Sequence, residues 1–147
     1  MFKFKLEPVL ALKEKVEDNK KRELGVAIQH QEYIHLEKLD LIQRKNEVLH
    51  DAQNSGKSSV NIQSLKLFNA YSTYINKAIE EKDKQFQEAK KQVALKREEL
   101  LEAVKERKIL DNLKAIHLEA FIEEAKQEEQ RITDDLVTYK YGRKGKE

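Results

Sequence analysis

The chain has 147 residues, of which 38% are charged, yet its 29 Lys and Arg nearly balance its 27 Asp and Glu. It contains no Cys and a single Pro, and neither Gly nor Pro occurs between Lys57 and Tyr141. This composition excludes disulfide frameworks and thiolate metal sites, and it disfavours turn-rich folds and most enzyme architectures. The intermixed charges also disfavour a dedicated nucleic-acid binder. No apolar run could span a membrane and no signal peptide is evident, so a cytoplasmic location is expected.

The N-terminal residues predict an apolar lead-in to a long helix. Phe2, Phe4 and Leu6 alternate with lysines, and Pro8 suits the first turn of a helix. We expect the lead-in to pack on the helix that follows it, which should cover about residues 8–53. One stripe with a mean spacing of about 3.6 residues follows this helix: Val9, Leu12, Val16, Lys20, Leu24, Ile28, Gln31, His35, Leu39, Ile42, Asn46 and Leu49.

The one clear break in the chain is a polar loop at about residues 54–59. Gly56 can close the first helix, and Ser58 or Ser59 can cap the second, which is predicted over about residues 60–141. A basic tail, residues 142–147, follows. The second helix has a stripe with steps of three and four residues, the coiled-coil period: Leu65, Phe68, Ser72, Ile75, Ile79, Lys82, Phe86, Ala89, Val93, Lys96, Leu100, Ala103, Arg107 and Leu110.

These elements predict an all-α fold: one coiled-coil domain, residues 1–147, forming a long two-helix antiparallel hairpin. Counting outward from Gly56 places Pro8 near Val104. Residues from about Glu106 to Tyr141 should then lack a partner helix, an overhang of about 54 Å. Because the overhang still has an apolar stripe, the sequence predicts that another molecule covers it.

Sequence motifs that could indicate enzyme chemistry are weak. Gly56-Lys57-Ser58 lacks the earlier Gly and the strand of a phosphate-binding loop, so it is interpreted as a turn. His30 and His35 are five residues apart and do not share a helix face; we interpret His35 as a polar core position. No catalytic residue, metal site or cofactor is predicted. The acidic stretch 119–135 indicates either pairing with the basic first helix or a surface for a ring-shaped partner.

Three segments resemble the FliJ family of the bacterial flagellar type III export apparatus. The start, residues 2–10, is similar to the family's opening, and residues 105–113 resemble its Glu-Arg-x-x-Leu-x-x-Leu block. Residues 129–135 resemble its terminal Glu-x-Lys-x-x-Asp-Glu block, although Arg131 replaces the usual Lys and Asp135 the usual Glu. Tyr71 and Tyr74 also fit, just past the loop. The resemblance therefore extends over nearly the whole chain.

The resemblance implies a non-enzymatic, stalk-like coiled coil. It implies that the end with the termini enters the hexameric export ATPase and promotes its assembly and turnover. It also implies that the loop-proximal part contacts the membrane export gate protein FlhA, and that the protein escorts export chaperones. It further implies a position at the inner face of the cell membrane, at the flagellar base. The gate-facing residues that it implies are Leu41, Ile42, Tyr71, Ile75, Ala78 and Lys82. The ATPase-facing residues are Phe2, Phe4, Leu6, Arg107, Leu110, Arg131, Asp134 and Asp135.

A different interpretation of the overhang is a homodimeric structural adaptor unrelated to export, in which two hairpins join through their apolar stripes. Nucleic acid and small-molecule substrates are not expected as partners. Binding of nucleic acid could use only phosphate contacts from the basic first helix and the tail, and it would weaken steeply with salt.

Overall fold

The computed structural model describes residues 1–55 and 61–145. Two helices account for nearly all of them: α1 is Glu7–Ser55, 49 residues, and α2 is Ile62–Lys144, 83 residues. They pack against each other in opposite directions, with Glu7 paired to Lys114 and Lys38 to Asp83. The predicted all-α, two-helix hairpin is confirmed.

The helix ends follow local hydrogen bonding. At the start of α1 the backbone N–H of Glu7 donates to the carbonyl of Phe4 at 3.1 Å, and Pro8 follows in the first turn, where no intrahelical donor is needed. At the start of α2, the N–H of Gln63 donates to Oδ1 of Asn61 at 3.2 Å, so Asn61 is the N-cap. The predicted caps Ser58 and Ser59, with Gly56, lie outside the described residues.

The chain divides into two compact units, and each contains a stretch of both helices. The terminal unit comprises Met1–Glu17 and Glu102–Glu147, and the loop-side unit is Asp18–Leu101. Each cross-helix contact discussed below lies within one of these units. The prediction of one domain over residues 1–147 stays a prediction.

The buried face of α1 differs from the predicted stripe. Val9, Leu12, Ile28 and Leu39 are 39–58% exposed. The covered positions instead alternate in steps of three and four residues: Leu10, Lys13, Glu17, Lys20, Leu24, Ala27, Gln31, Ile34, Lys38, Leu41, Lys45, Val48 and Ala52. Both helices therefore follow the 3.5-residue coiled-coil period. Six of the twelve predicted positions are half-buried, and the prediction was wrong for the other six, because it mostly followed apolar residues whereas many covered positions are polar. The half-buried six are Val16, Lys20, Leu24, Gln31, His35 and Ile42.

The buried face of α2 agrees with the predicted stripe from Phe68 to Leu110, where every stripe position is at least partly covered. Only the first position, Leu65, is exposed. The covered faces of the two helices are together called the seam. Its most buried apolar residues are Leu10 and Ala103 in the terminal unit and Ile34, Ile75, Ala89 and Val93 in the loop-side unit.

The pairing register is shifted from the predicted one. Pro8 was placed near Val104, but the neighbouring Glu7 forms an ion pair with Lys114 at 2.9 Å. The prediction centred the turn on Gly56, whereas α1 continues to Ser55 and α2 begins only at Ile62. The centre of pairing therefore moves several residues along the chain, and α1 reaches further along α2.

Candidate interaction surfaces

The N-terminal segment of the terminal unit packs on α2. The ring of Phe4 meets the His117 ring edge-on, with centroids 5.6 Å apart at an angle of 72°. The ring of Phe2 lies 5.6 Å from that of Phe121. Phe4 is only 7% exposed. The predicted lead-in exists, but it packs on the second helix rather than on the helix that follows it, since the extended segment continues the path of α1 along the seam.

These contacts move the start of the overhang. We call residues 122–144 of α2 the overhang, because the ring contacts of the N-terminal segment extend to Phe121. The predicted start near Glu106 was wrong, since Glu106 forms an ion pair with Lys13 of α1 at 2.8 Å. The overhang is about 35 Å long. Every described residue from Ala115 to Gly145 is exposed.

The ATPase-facing residues implied by the family all lie in the terminal unit, but in three environments. Phe4 is buried and Phe2 half-buried in the ring contacts, while Leu6 is 37% exposed. Leu110 and Arg107 are half-buried positions of the seam. The remaining three are exposed on the overhang: Arg131, Asp134 and Asp135.

Arg107 is paired across the helices. Its guanidinium donates to the carboxylate of Glu17, which is 6% exposed, and to Asp111 on its own helix at 2.5 Å. The hydrogen bond to Glu17 raises the pKa of Arg107 above its ordinary value, with a further contribution from Asp111. Arg107 therefore neutralises a buried carboxylate in the seam, in addition to any contact with a partner.

The gate-facing residues implied by the family lie in the loop-side unit and are mostly in the seam. Ile75 is 2% exposed, the lowest value among the described apolar side chains. The others are half-buried: Leu41, Ile42, Tyr71, Ala78 and Lys82. Tyr74, next to Ile75, is 68% exposed. A partner that approaches the closed helix pair can reach the edges of these half-buried side chains but not Ile75.

Lys82 belongs to a polar cluster that joins the two helices. It donates to Glu37, and Tyr33 lies one turn from Glu37 on α1. The hydrogen bond from Lys82, followed by that from Tyr33, lowers the pKa of Glu37, and the same carboxylate raises the pKa of Tyr33. With Ile34 and Ala89, these residues line a shallow groove across the helix pair.

Further ion pairs cross the seam of the loop-side unit. Nζ of Lys20 lies 3.2 Å from Glu99, and Nζ of Lys38 lies 2.7 Å from Asp83. These lysines lower the pKa of both carboxyl groups. The alternation of lysines and acids explains why so many covered positions of α1 can be polar.

His35 contacts an aromatic residue on the other helix. Its ring lies 5.4 Å from that of Phe86, and Nζ of Lys38 lies 5.9 Å from the centre of the same ring. Phe86 therefore contacts both a histidine and a lysine of α1, which favours this pairing register over one shifted along the helices. No group of three or more His, Cys, Asp or Glu suited to a metal ion occurs among residues 1–55 and 61–145.

Sequence reasoning missed the two contacts that fix the terminal unit. In the sequence Glu17 is indistinguishable from a solvent-exposed residue, and its covered position becomes evident only from Arg107 opposite it on α2. The contact of Phe4 with His117 depends on the pairing register, and the predicted register ended the paired part of α2 too early. A heptad search that allowed ion-paired lysines and acids at covered positions could have found the first of these.

Together the seam, the N-terminal segment and the overhang define an all-α coiled-coil hairpin, in which α2 extends beyond α1 within the described residues. The family model described as the flagellar FliJ protein matches residues 2–146. The chain therefore belongs to the FliJ family, and this membership makes it a component of the flagellar export apparatus. Comparison with curated proteins and with solved structures found no match. No helix in the described part of the chain is long and apolar enough to cross a membrane.

Proposed function

We propose that this chain is a non-enzymatic stalk of the flagellar export apparatus. Its terminal unit enters the hexameric export ATPase and promotes ring assembly and turnover, and its loop-side unit contacts the membrane export gate protein FlhA. This places it at the inner face of the membrane at the flagellar base, with export chaperones as further partners. The observation that supports this proposal best is the exposed overhang, whose apolar side chains include Ile132, Leu136 and Tyr139 at 53–67% exposure.

A monomeric hairpin gains little from such side chains. Large apolar side chains exposed along one helix typically mark an interface, because burying each contributes about 1.5–3 kcal/mol. The N-terminal segment, held by Phe4 against His117, supports the base of the overhang. A supported helix that extends beyond its partner suits insertion into a ring.

The ATPase part of the proposal is tested by turnover. Saturating amounts of the purified chain should raise phosphate release by the cognate ATPase and increase the fraction of hexamers in electron micrographs. The triple variant Arg131→Ala/Asp134→Ala/Asp135→Ala should lose most of this stimulation. Its control is Arg97→Ala/Glu98→Ala/Glu102→Ala, which removes the same charges from exposed positions near the unit boundary. An unchanged ATPase at saturation contradicts the proposal.

The gate part can be tested through Lys82. Lys82→Ala and Glu37→Ala break the same ion pair, but only the first removes a residue proposed to face the gate. We expect Lys82→Ala to weaken binding to the cytoplasmic part of FlhA, and Glu37→Ala to retain it. Equal losses would mean that the ion pair, and not the lysine, matters for the gate.

The homodimeric adaptor is the second candidate, and the same exposed stripe favours it. Sedimentation equilibrium at tens of micromolar decides between the two candidates. A monomer excludes a constitutive dimer. A dimer that leaves the ATPase unaffected supports the adaptor instead.

A further inference from the structure

The face of α2 that forms the seam continues to Phe121, where its last two positions, His117 and Phe121, are exposed but contact the N-terminal segment. Its last positions are Lys114, which pairs with Glu7, then His117 and Phe121, which contact Phe4 and Phe2. Continued at the same spacing, this face has only polar residues and glycine: Glu124, Glu128, Arg131, Asp135, Thr138 and Gly142. The first helix and its N-terminal segment therefore have nothing apolar to cover beyond Phe121.

A second apolar face begins where the seam ends, displaced by one residue. We call it the offset stripe; its steps alternate four and three residues, through Leu118, Ile122, Ala125, Glu129, Ile132, Leu136 and Tyr139. One residue is about 100° of rotation on an α-helix, so this face points to a different side of α2 from the seam. Its large apolar side chains are 40–67% exposed. Neither α1 nor the N-terminal segment can cover it while the seam stays closed.

Charges on and beside the offset stripe define the chemistry of its occupant. Glu129 is the middle position of the stripe, between Ala125 and Ile132. Glu128, Arg131 and Asp135 follow the edge nearer the seam, and Arg131 forms an ion pair with Glu128 at 3.8 Å. An apolar partner without a cation would bury the carboxylate of Glu129 with only Lys126, three residues earlier on the same helix, as a counter-charge, which is unfavourable. The occupant must therefore combine apolar side chains with a Lys or Arg that reaches Glu129.

A second copy of this chain fits the offset stripe poorly. Parallel pairing places Glu129 against the same residue of the other copy. Antiparallel pairing centred on the stripe brings Glu128 of each copy beside Glu129 of the other. Both arrangements bring like charges together at the interface, which disfavours association. The stripe is suited to a different polypeptide with positive charge.

We propose that the export ATPase binds α2 on the offset stripe, through an apolar surface with a basic side chain opposite Glu129. This inference rests on the proposed function and specifies its binding face. The helix pair stays closed and the N-terminal segment stays attached during binding, because the seam and the stripe are different faces. The contact residues are Ile122, Ile132, Leu136 and Tyr139, none of which the family resemblance implied.

The test uses two double variants of the full chain in a titration with the cognate ATPase. Ile132→Ser/Leu136→Ser removes two apolar side chains from the stripe. Ile109→Ser/Ile116→Ser removes two from α2 before the overhang, where they are 65% and 61% exposed. We expect the stripe variant to weaken binding by about 100-fold or more, and the control by less than about threefold.

The charge is tested separately. Glu129→Arg should weaken ATPase binding by at least about tenfold, and Glu129→Gln by less. Glu123→Arg, which makes the same charge change about 120° around α2 from Glu129, should bind like the wild type. Equal binding by the variants Glu129→Arg and Glu123→Arg would show that no basic side chain of the ATPase lies opposite Glu129.

The outcomes separate this inference from the proposed function. If the wild-type chain does not bind the ATPase, the proposed function itself is wrong. If the wild type and both double variants bind equally well, the function stands and the offset stripe is not the binding face. If the wild type sediments as a dimer that Ile132→Ser/Leu136→Ser converts to a monomer, the occupant is a second copy and the inference is overturned.

Discussion

At the scale of single residues, burial separates neighbours that look alike in the sequence. Ile75 is 2% exposed in the seam, whereas Tyr74 is 68% exposed. Ile75→Ala should lower the free energy of unfolding by about 2–4 kcal/mol, because it leaves a cavity among packed side chains. Tyr74→Ala should change it by less than about 0.5 kcal/mol. Urea unfolding followed by circular dichroism measures both values.

This difference decides how gate-binding data should be interpreted. A loss of FlhA binding in Ile75→Ala would reflect the altered seam unless the milder Ile75→Val variant, which costs about 0.5–1.5 kcal/mol, shows the same loss. If Ile75→Ala were as stable as the wild type, the position of Ile75 in the seam would be wrong.

Phe4 provides a second residue-scale prediction. Phe4→Ala removes the buried ring that contacts His117, so the N-terminal segment should detach while the helix pair remains folded. Trypsin should then cleave after Lys3 and Lys5 several-fold faster, as mass spectrometry can follow. Leu6→Ala, at a partly exposed position, should cleave like the wild type. Equal cleavage of all three proteins would mean that Phe4 does not hold the segment.

At the scale of the helices, Gly25 is a weak point without a structural role. It lies inside α1 with no positive φ, and a Cβ added there would have no neighbour within 4 Å. The close approach of a neighbour is therefore not its reason. Gly25→Ala should stabilise the protein by about 1 kcal/mol, since alanine restricts the unfolded chain and favours helix.

Gly142 is the matched control, because it is also helical and has no neighbour within 4 Å, but it lies near the exposed end of α2. Gly142→Ala should add helix locally and leave the unfolding midpoint almost unchanged. If Gly25→Ala were neutral or destabilising in urea unfolding, the helix around residue 25 would not be the regular one described.

The two helices also show how far sequence could predict this fold. The α2 stripe from Phe68 to Leu110 was predictable because most of its covered residues are apolar and the steps never miss. The α1 stripe was not, since covered positions such as Lys13 and Glu17 are indistinguishable from a solvated face until Glu106 and Arg107 are known to lie opposite. A polar seam is specified by pairs, and a single helix shows only half of each pair.

The same limit applies to the candidate surfaces. The existence of an overhang could be predicted from the unequal helix lengths. Its start could not, because it depends on the register and on Phe2 meeting Phe121. The partners and contact residues implied by the family stay predictions, although the burial of Ile75 and the pairing of Arg107 now distinguish seam residues from exposed ones.

At the scale of the whole molecule, ion pairs across the seam occur in both units, so stability should depend on pH and salt. Lysines hold the pKa of Glu37, Asp83 and Glu99 below their ordinary values of 4.5 for Glu and 3.8 for Asp. A carboxyl group with a lowered folded-state pKa contributes stability above its ordinary pKa and loses it as the pH falls through the folded value. The contribution should therefore be complete at pH 7 and decline below about pH 4.5.

The lysines of these ion pairs predict a loss of stability at high pH. The pKa values of Lys20 and Lys114 are raised above 10.5, chiefly by hydrogen bonds to Glu99 and Glu7. Their contribution is present below pH 10.5 and is lost as the pH rises through the raised values. The melting temperature should thus be highest between about pH 5 and 10 and fall on both sides. At pH 7 it should fall as salt rises from about 0.05 M to 0.5 M, because these pairs are half-exposed and screened.

Two variants show whether the seam pairs cause this dependence. Glu37→Gln removes one of the shifted carboxyl groups, so its melting temperature should be lower at pH 7 but fall less between pH 5 and 3 than that of the wild type. Glu123→Gln changes an exposed acid of the overhang and should reproduce the wild-type curve. If both variants had the same acid profile as the wild type, the lowered pKa of Glu37 would not contribute to stability. The acid sensitivity of the hairpin would then arise from the other seam pairs, such as Lys38 with Asp83 and Lys20 with Glu99, or from net charge.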